Sequence, residues 1–362
     1  MLIRTLLSTV ALLTALLASA TSWSAEDQSE NDRDATLHRA IELHDAGSYE
    51  AAIRVYQSLL EEDPNDGMVL YEIAMTYESL KDYENCIAHA RRSSGIESKA
   101  QGAAIAMLAN CQDDSGQVEE ALKTFADGVR RFPKDVMLNF NYAVTLLRNQ
   151  KQLEARDALR VAMEEAPAYP SPYRLYATML DDQGHTAAAL LMYLRFLMAD
   201  PGSDRAMDVA SRVLESFAGP LAEEEGAEKQ ITITMPNADA KDTEGTGFEH
   251  LNIGLAIASA VPRNADDGTP LEAPERVVLA MKLFITMSAE AADKKLKKSF
   301  VWKTAAEPLL ELNKREVLDT FLYHVAALGR VEGAAQRLNQ QPEALDKLAE
   351  VMEELSKRWQ RK

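Results

Sequence analysis

Six histidines, His38, His44, His89, His185, His250 and His324, and two cysteines, Cys86 and Cys111, are the side chains of this 362-residue chain best suited to hold a metal or to attack a substrate. A metal-binding helix face needs ligands about one turn apart, at i and i+4 or in a short Cys/His spacing. No two histidines are so placed, and no H-E-x-x-H occurs. There is no G-x-S-x-G turn for a serine nucleophile, no phosphate-cradling glycine loop and no dinucleotide fingerprint. Carboxylates are plentiful, but runs such as AEEEGAE read as solvated faces from which no acid/base pair can be picked out. The expectation is a protein that is not an enzyme and takes no metal or cofactor.

Charge narrows the partners. The formal net charge is −18, which speaks against nucleic acid, whose phosphates call for a basic face. Two basic clusters interrupt the acidic background, KKLKKSFVWK (294–303) and SKRWQRK (356–362). Aromatics within such runs suit an anionic surface. Alternatively Phe300, Trp302 and Trp359 pack inward while the lysines stay in water. At the N-terminus, MLIR precedes a short apolar core (6–17) and the small-residue pattern Ala18-Ser19-Ala20. This reads as a secretory leader over residues 1–25, and a periplasmic, soluble mature protein is expected. The core falls short of the about 20 apolar residues that span a bilayer, so no transmembrane segment is expected.

The elements that would position any site follow from a repeat. GSYEAAIRVYQSLLEEDP, GQVEEALKTFADGVRRFP and GHTAAALLMYLRFLMADP each open on Gly and close on Pro, and Pro133, Pro167 and Pro201 are 34 residues apart. Each copy holds two segments of helical period. Small residues recur in the first segment, at Ala40, Ala74, Ala109, Ala143 and Ala177, and in the second, at Ala52, Cys86, Ala121, Ala155 and Ala189. Two antiparallel helices approach closely only where such side chains sit at their crossing. Gly ends the first helix in a left-handed turn, and Pro ends the second. One hairpin cannot bury its own apolar faces, so the units must stack. Cys86 and Cys111 then fall nearly level on consecutive antiparallel helices, where either a disulfide or two buried thiols is compatible with the spacing. The second copy departs from the pattern at Cys86, Ala90 and Ser93 and is expected to pack less tightly, and the fourth carries Gln150 where Gly is usual.

These spacings resemble the tetratricopeptide repeat family, over five units at 33–202. The resemblance implies an all-α, right-handed superhelix and a concave groove lined by fixed positions of each unit. Carried over residue by residue, the second unit supplies Met68, Tyr71, Met75 and Glu78, and the third supplies Asn110, Asp113 and Asp114. The fourth supplies Met137, Phe140, Val144, Leu147 and Arg148, and the fifth Arg174, Asp181 and Asp182. Apolar patches between carboxylates suit a protein or peptide with apolar anchors and basic flanks. The Lys/Arg positions that clamp chaperone C-terminal carboxylates in this family are not matched beyond Asn110.

After the array, 203–219 reads as a capping helix and 220–247 as a linker. Within it ITITMP is either extended chain or a short strand at 231–235. Residues 248–362 read as a C-terminal helical domain with no 34-residue repeat, ending in a seam of Leu345, Leu348, Met352, Leu355 and Trp359. The expected function is a non-catalytic protein-interaction scaffold. The alternative is a factor for envelope polysaccharide or peptidoglycan assembly that contacts glycan through the C-terminal domain. The sequence does not speak to oligomeric state.

Overall fold

A computed structural model describes residues 32–217, 248–258, 264–265 and 268–360. The leader and the linker with ITITMP lie outside the described residues. The fold is all-α, with one isolated bridge, Asn264 to Pro270, among the described residues. The chain divides into two compact units after Asn149.

The first unit holds α1 (32–45), α2 (Tyr49–Glu62), α3 (Gly67–Ser79), α4 (Tyr83–Ser94), α5 (Gln101–Asp114), α6 (Val118–Arg131) and α7 (Val136–Arg148). Three of these helices, α3, α4 and α7, start where acidic caps satisfy exposed amides: Asp66 accepts from Met68 and Val69, Asp82 from Asn85, and Asp135 from Leu138. Each such cap is worth about 1 kcal/mol. The hairpin turns share one chemistry. Gly47, Lys81 and Gly116 take φ of 73°, 59° and 84°. The next amide then reaches five residues back, as in Asp82 N to Tyr77 O at 2.9 Å and Gln117 N to Gln112 O at 2.8 Å. This pairing closes the carbonyls left open at a helix end. Lys81 accepts the left-handed conformation without being glycine.

Packing follows the small residues. Ala40, Ala74, Ala109 and Ala143 on the first helices and Ala52, Cys86 and Ala121 on the second are wholly buried, with Tyr56 and Phe125 filling the space beside them. At Gly128 on α6 a Cβ would lie 2.7 Å from Ile105 Cγ2, so this crossing requires glycine. The second copy does not leave the gap its small side chains suggest. Cys86, Ala90 and Ser93 are all wholly buried, and Ser93 Oγ donates to Gly67 O at 2.7 Å. A Cys86–Cys111 disulfide joins α4 to α5, with the Cα atoms 6.2 Å apart.

The second unit holds α8 (Gln152–Glu165), α9 (Ser171–Asp182), α10 (Thr186–Ala199), α11 (Asp204–Glu215), α12 (Glu249–Ala258) and α13 (Ala273–Ala291). A 3-10 turn (Leu296–Lys298) and a π turn (Trp302–Ala306) lead into α14 (Glu307–Lys314), followed by α15 (Leu318–Leu328), α16 (Ala334–Asn339) and α17 (Pro342–Gln360). Its centre is α10, TAAALLMYLRFLMA, buried at every residue from Ala187 to Met198. A helix apolar on all sides has no solvent face and must be surrounded. The neighbours that do so are α9, α11, α12, the π turn and α14. The helix after the array therefore shares the covering of α10 with the C-terminal segment.

That segment also contains a hairpin the sequence pattern does not announce. Glu316, between α14 and α15, has φ of 61°. Its amide bonds Asn313 O at 3.1 Å, and that of Val317 bonds Leu312 O at 3.0 Å, the arrangement of the repeat turns. Leu309 and Phe321, both buried, stand where the repeats place small residues. The turn is kept while the small-residue signature is lost.

Candidate functional site

In the first unit α3 packs against α5, and α5 against α7, so the first helices of successive hairpins form one continuous face. Its apolar part comprises Met68 and Met137, 39% and 49% exposed, with Tyr71, Met75, Phe140, Val144 and Leu147 half-buried. Methionine and aromatic side chains left accessible in this way are adaptable anchors for a ligand.

The polar part is acidic and strained electrostatically. Burial, then the nearby charge of Asp114, pushes the Glu78 carboxyl above the ordinary carboxylate range, with His44 opposing. Burial and then Asp45 do the same to Glu72, whose Oε2 has no hydrogen-bond partner among the described residues. The Tyr71 phenol is likewise raised by burial and by Glu72. Thr76 Oγ1 donates to Glu72 O, so it accepts from His44 Nδ1 at 2.9 Å. Asn110 is half-buried on α5.

The structure corrects the expectation that Asp113 and Asp114 stand open to a basic ligand. Asp113 Oδ2 accepts from Thr145 Oγ1 at 3.0 Å and from Arg148 at 3.1 Å, and Arg148 also reaches Asp114 at 3.4 Å. Arg148, itself expected in the groove, thus spends its charge on its neighbours. The remaining expected residues belong to the second unit and are described there alone. Arg174 is half-buried, and Asp182 is exposed. Asp181 is bound by Arg212 of α11 at 2.6 Å and is not available as a free carboxylate.

The basic clusters place their rings inward. Trp302 is buried, Phe300 lies against Tyr176 and Arg160, and Trp359 lies over Arg195, while Lys294, Lys295, Lys297 and Lys298 stay exposed. No group of three metal-ligating side chains occurs among the described residues. No helix among them is long and apolar enough to cross a membrane. Sequence reading passed over Arg195, buried at the centre of the second unit. Its signal was available: it is the lone charged residue in the apolar helix α10.

A stack of helical hairpins with one accessible first-helix face defines an α-solenoid, a class of fold that serves protein–protein interaction. Residues 37–93 and 107–170 match the tetratricopeptide repeat family. Three solved structures show the range of similarity. PilF of Pseudomonas aeruginosa is 16% identical, with 51% of this chain and 84% of that one aligned at a TM-score of 0.44. A thermophilic TPR protein of Thermus thermophilus is 19% identical, with 51% and 97% aligned at 0.41. YrrB, described as a TPR protein with an unusual peptide-binding site, is 20% identical, with 48% and 89% aligned at 0.35. No curated protein sequence matches the chain.

Proposed function

We propose that this protein is a non-catalytic scaffold, exported to the periplasm, that binds a segment of a protein partner along the first-helix face of its N-terminal unit. The observation that carries the reading is the continuous first-helix face of α3, α5 and α7, on which Met68 and Met137 are exposed and Tyr71, Met75 and Phe140 are half-buried. A lysine or arginine from a ligand would pair with Glu78, whose carboxyl burial holds above the ordinary range, while apolar ligand side chains would cover Met68, Tyr71, Phe140 and Met137. Charge would govern the association rate and the aromatic contacts the dwell time. Export is supported by the leader and by the Cys86–Cys111 bridge, which suits an oxidising compartment.

The test is a photo-crosslinking amino acid placed at Met68, at Met137 and, on another helix, at exposed Lys123. A discrete adduct from the first two positions is expected, none from the third, and Glu78→Lys should suppress it. Equal labelling from all three positions, or adducts indifferent to Glu78→Lys, would remove this face as the binding site.

A further inference from the structure

Among the described residues Arg195 is a cation without a counter-ion. The residue is 1% exposed, and no carboxylate among the described residues bonds it. Nη2 donates to Pro167 O at 2.6 Å and to Tyr173 Oη at 3.3 Å. Nη1 has no partner among the described residues. The rings of Tyr173 and Trp359 lie 4.5 and 3.8 Å from the guanidinium carbon. Such contacts soften the burial of a charge but do not replace an anion. Accordingly burial lowers the Arg195 pKa from its ordinary value.

This side chain lines a cavity of about 760 Å³ in the second unit. The cavity also carries Lys303, Lys314 and Arg358, set against Glu164, Glu307 and Glu311. Glu311 is already paired with Arg315 at 3.1 Å and with Lys314 at 3.8 Å, which leaves Arg195, Lys303 and Arg358 against Glu164 and Glu307 in a chain that is strongly acidic elsewhere. A second cavity of about 290 Å³ lies beneath α17 and is almost wholly apolar, with Leu197, Met198, Phe321, Leu348 and Met352 in its wall. Trp359 lines both cavities. It sits on the last turn of α17, half-buried, and the two spaces adjoin at this residue.

We propose that the second unit binds a small anionic amphiphile, a carboxylate with one medium-length alkyl chain. The head group pairs with Arg195 Nη1, with Lys303 and Arg358 at the rim, and the chain enters the apolar cavity under α17. Polar donors converging at one end of an apolar space are what such a ligand requires. An inorganic anion would leave the second cavity empty, and a neutral chain would leave Arg195 unpaired. The site lies wholly within residues of the second unit and does not depend on the peptide-binding reading.

The experiment titrates the mature chain with dodecanoate, dodecanol and inorganic phosphate, below micelle-forming concentrations, by calorimetry and tryptophan emission. Dodecanoate is expected to bind saturably, one molecule per chain, on the order of tenfold more tightly than dodecanol. Phosphate alone should show no comparable affinity. From hexanoate to dodecanoate the affinity should rise by roughly fourfold per methylene that enters the cavity. Because Arg195→Met could fail to fold, the deciding variants are Lys303→Glu with Arg358→Glu on the exposed rim, and Met352→Trp inside the second cavity. The first should weaken dodecanoate on the order of tenfold, and the second should flatten the chain-length dependence. Phosphate matching dodecanoate would reduce the site to an anion pocket, and dodecanol matching it would reduce it to an apolar void. Either result, the absence of saturable binding, or indifference to both variants overturns the proposal.

Discussion

Reduction of the Cys86–Cys111 bridge offers a sharp test of the packing in the first unit. The two cysteines are 25 residues apart in sequence. Closing a loop of that size removes unfolded-state entropy worth roughly 3.5 kcal/mol in the chain-entropy treatment. Both sulfur atoms are buried in the native state, so reduction leaves the core filled and acts chiefly on the unfolded chain. With a urea m-value of about 1–3 kcal/mol/M, the midpoint should fall by about 1.2–3.5 M on adding reductant. The loss is regional. Amide exchange should accelerate in α4 and α5, while amides of α10 in the other unit keep their protection. A Cys86→Ala/Cys111→Ala variant should unfold at the reduced midpoint whether or not reductant is present. Two thiols titrating in non-reduced, denatured protein, or a midpoint unmoved by reductant, would refute the reasoning.

Two further outcomes follow from packing and charge. Gly128→Ala should cost about 1–3 kcal/mol, read from the thermal midpoint, because its Cβ would sit 2.7 Å from Ile105 Cγ2 and close to Leu138; an unchanged midpoint would mean these helices are not in close contact. Burial raises the folded-state pKa of Glu72 above its ordinary value of 4.5, so ionising it costs stability at neutral pH, and that cost fades as pH falls through the raised value and below 4.5. Glu72→Gln should therefore unfold at higher urea than the parent chain at neutral pH, with the advantage gone below the ordinary value; an advantage that grows toward acid would reverse the assigned sign.

The repeats were legible because their constraints act on single residues. A left-handed turn favours Gly, as at Gly47, Gly116 and Gly184, and a close helix crossing demands Ala or Cys, so both leave letters at fixed spacing. The hairpin of α14 and α15 escaped because Glu316 takes the left-handed turn without glycine and because Leu309 and Phe321 hold the crossing at larger size. The apolar faces of α13, α15 and α17 were readable from helical period alone, but what each covers depends on contacts between segments far apart in sequence. In the candidate face, residue types and positions were readable, whereas the pairing of Asp113 with Arg148 and of Asp181 with Arg212 was not. Those bonds join residues 35 and 31 positions apart, one turn of the array removed, and depend on which rotamer each long side chain adopts.

The burial of α10 on every side bears on how the chain can be made. An ordinary array of this kind can be shortened by whole hairpins, because each terminal helix keeps a face that tolerates water. Here the fifth hairpin ends in a helix without one, and part of its cover, α12 and the segment leading into α14, is synthesised only after a long stretch of further sequence. Until then a fourteen-residue apolar helix carrying one cation is exposed to whatever lies nearby. During synthesis or secretion this is the segment most in need of a chaperone, and a chain stopped at Pro201 would be expected to aggregate. The N-terminal hairpins can form as they emerge; the fifth must wait for the later segments that cover it.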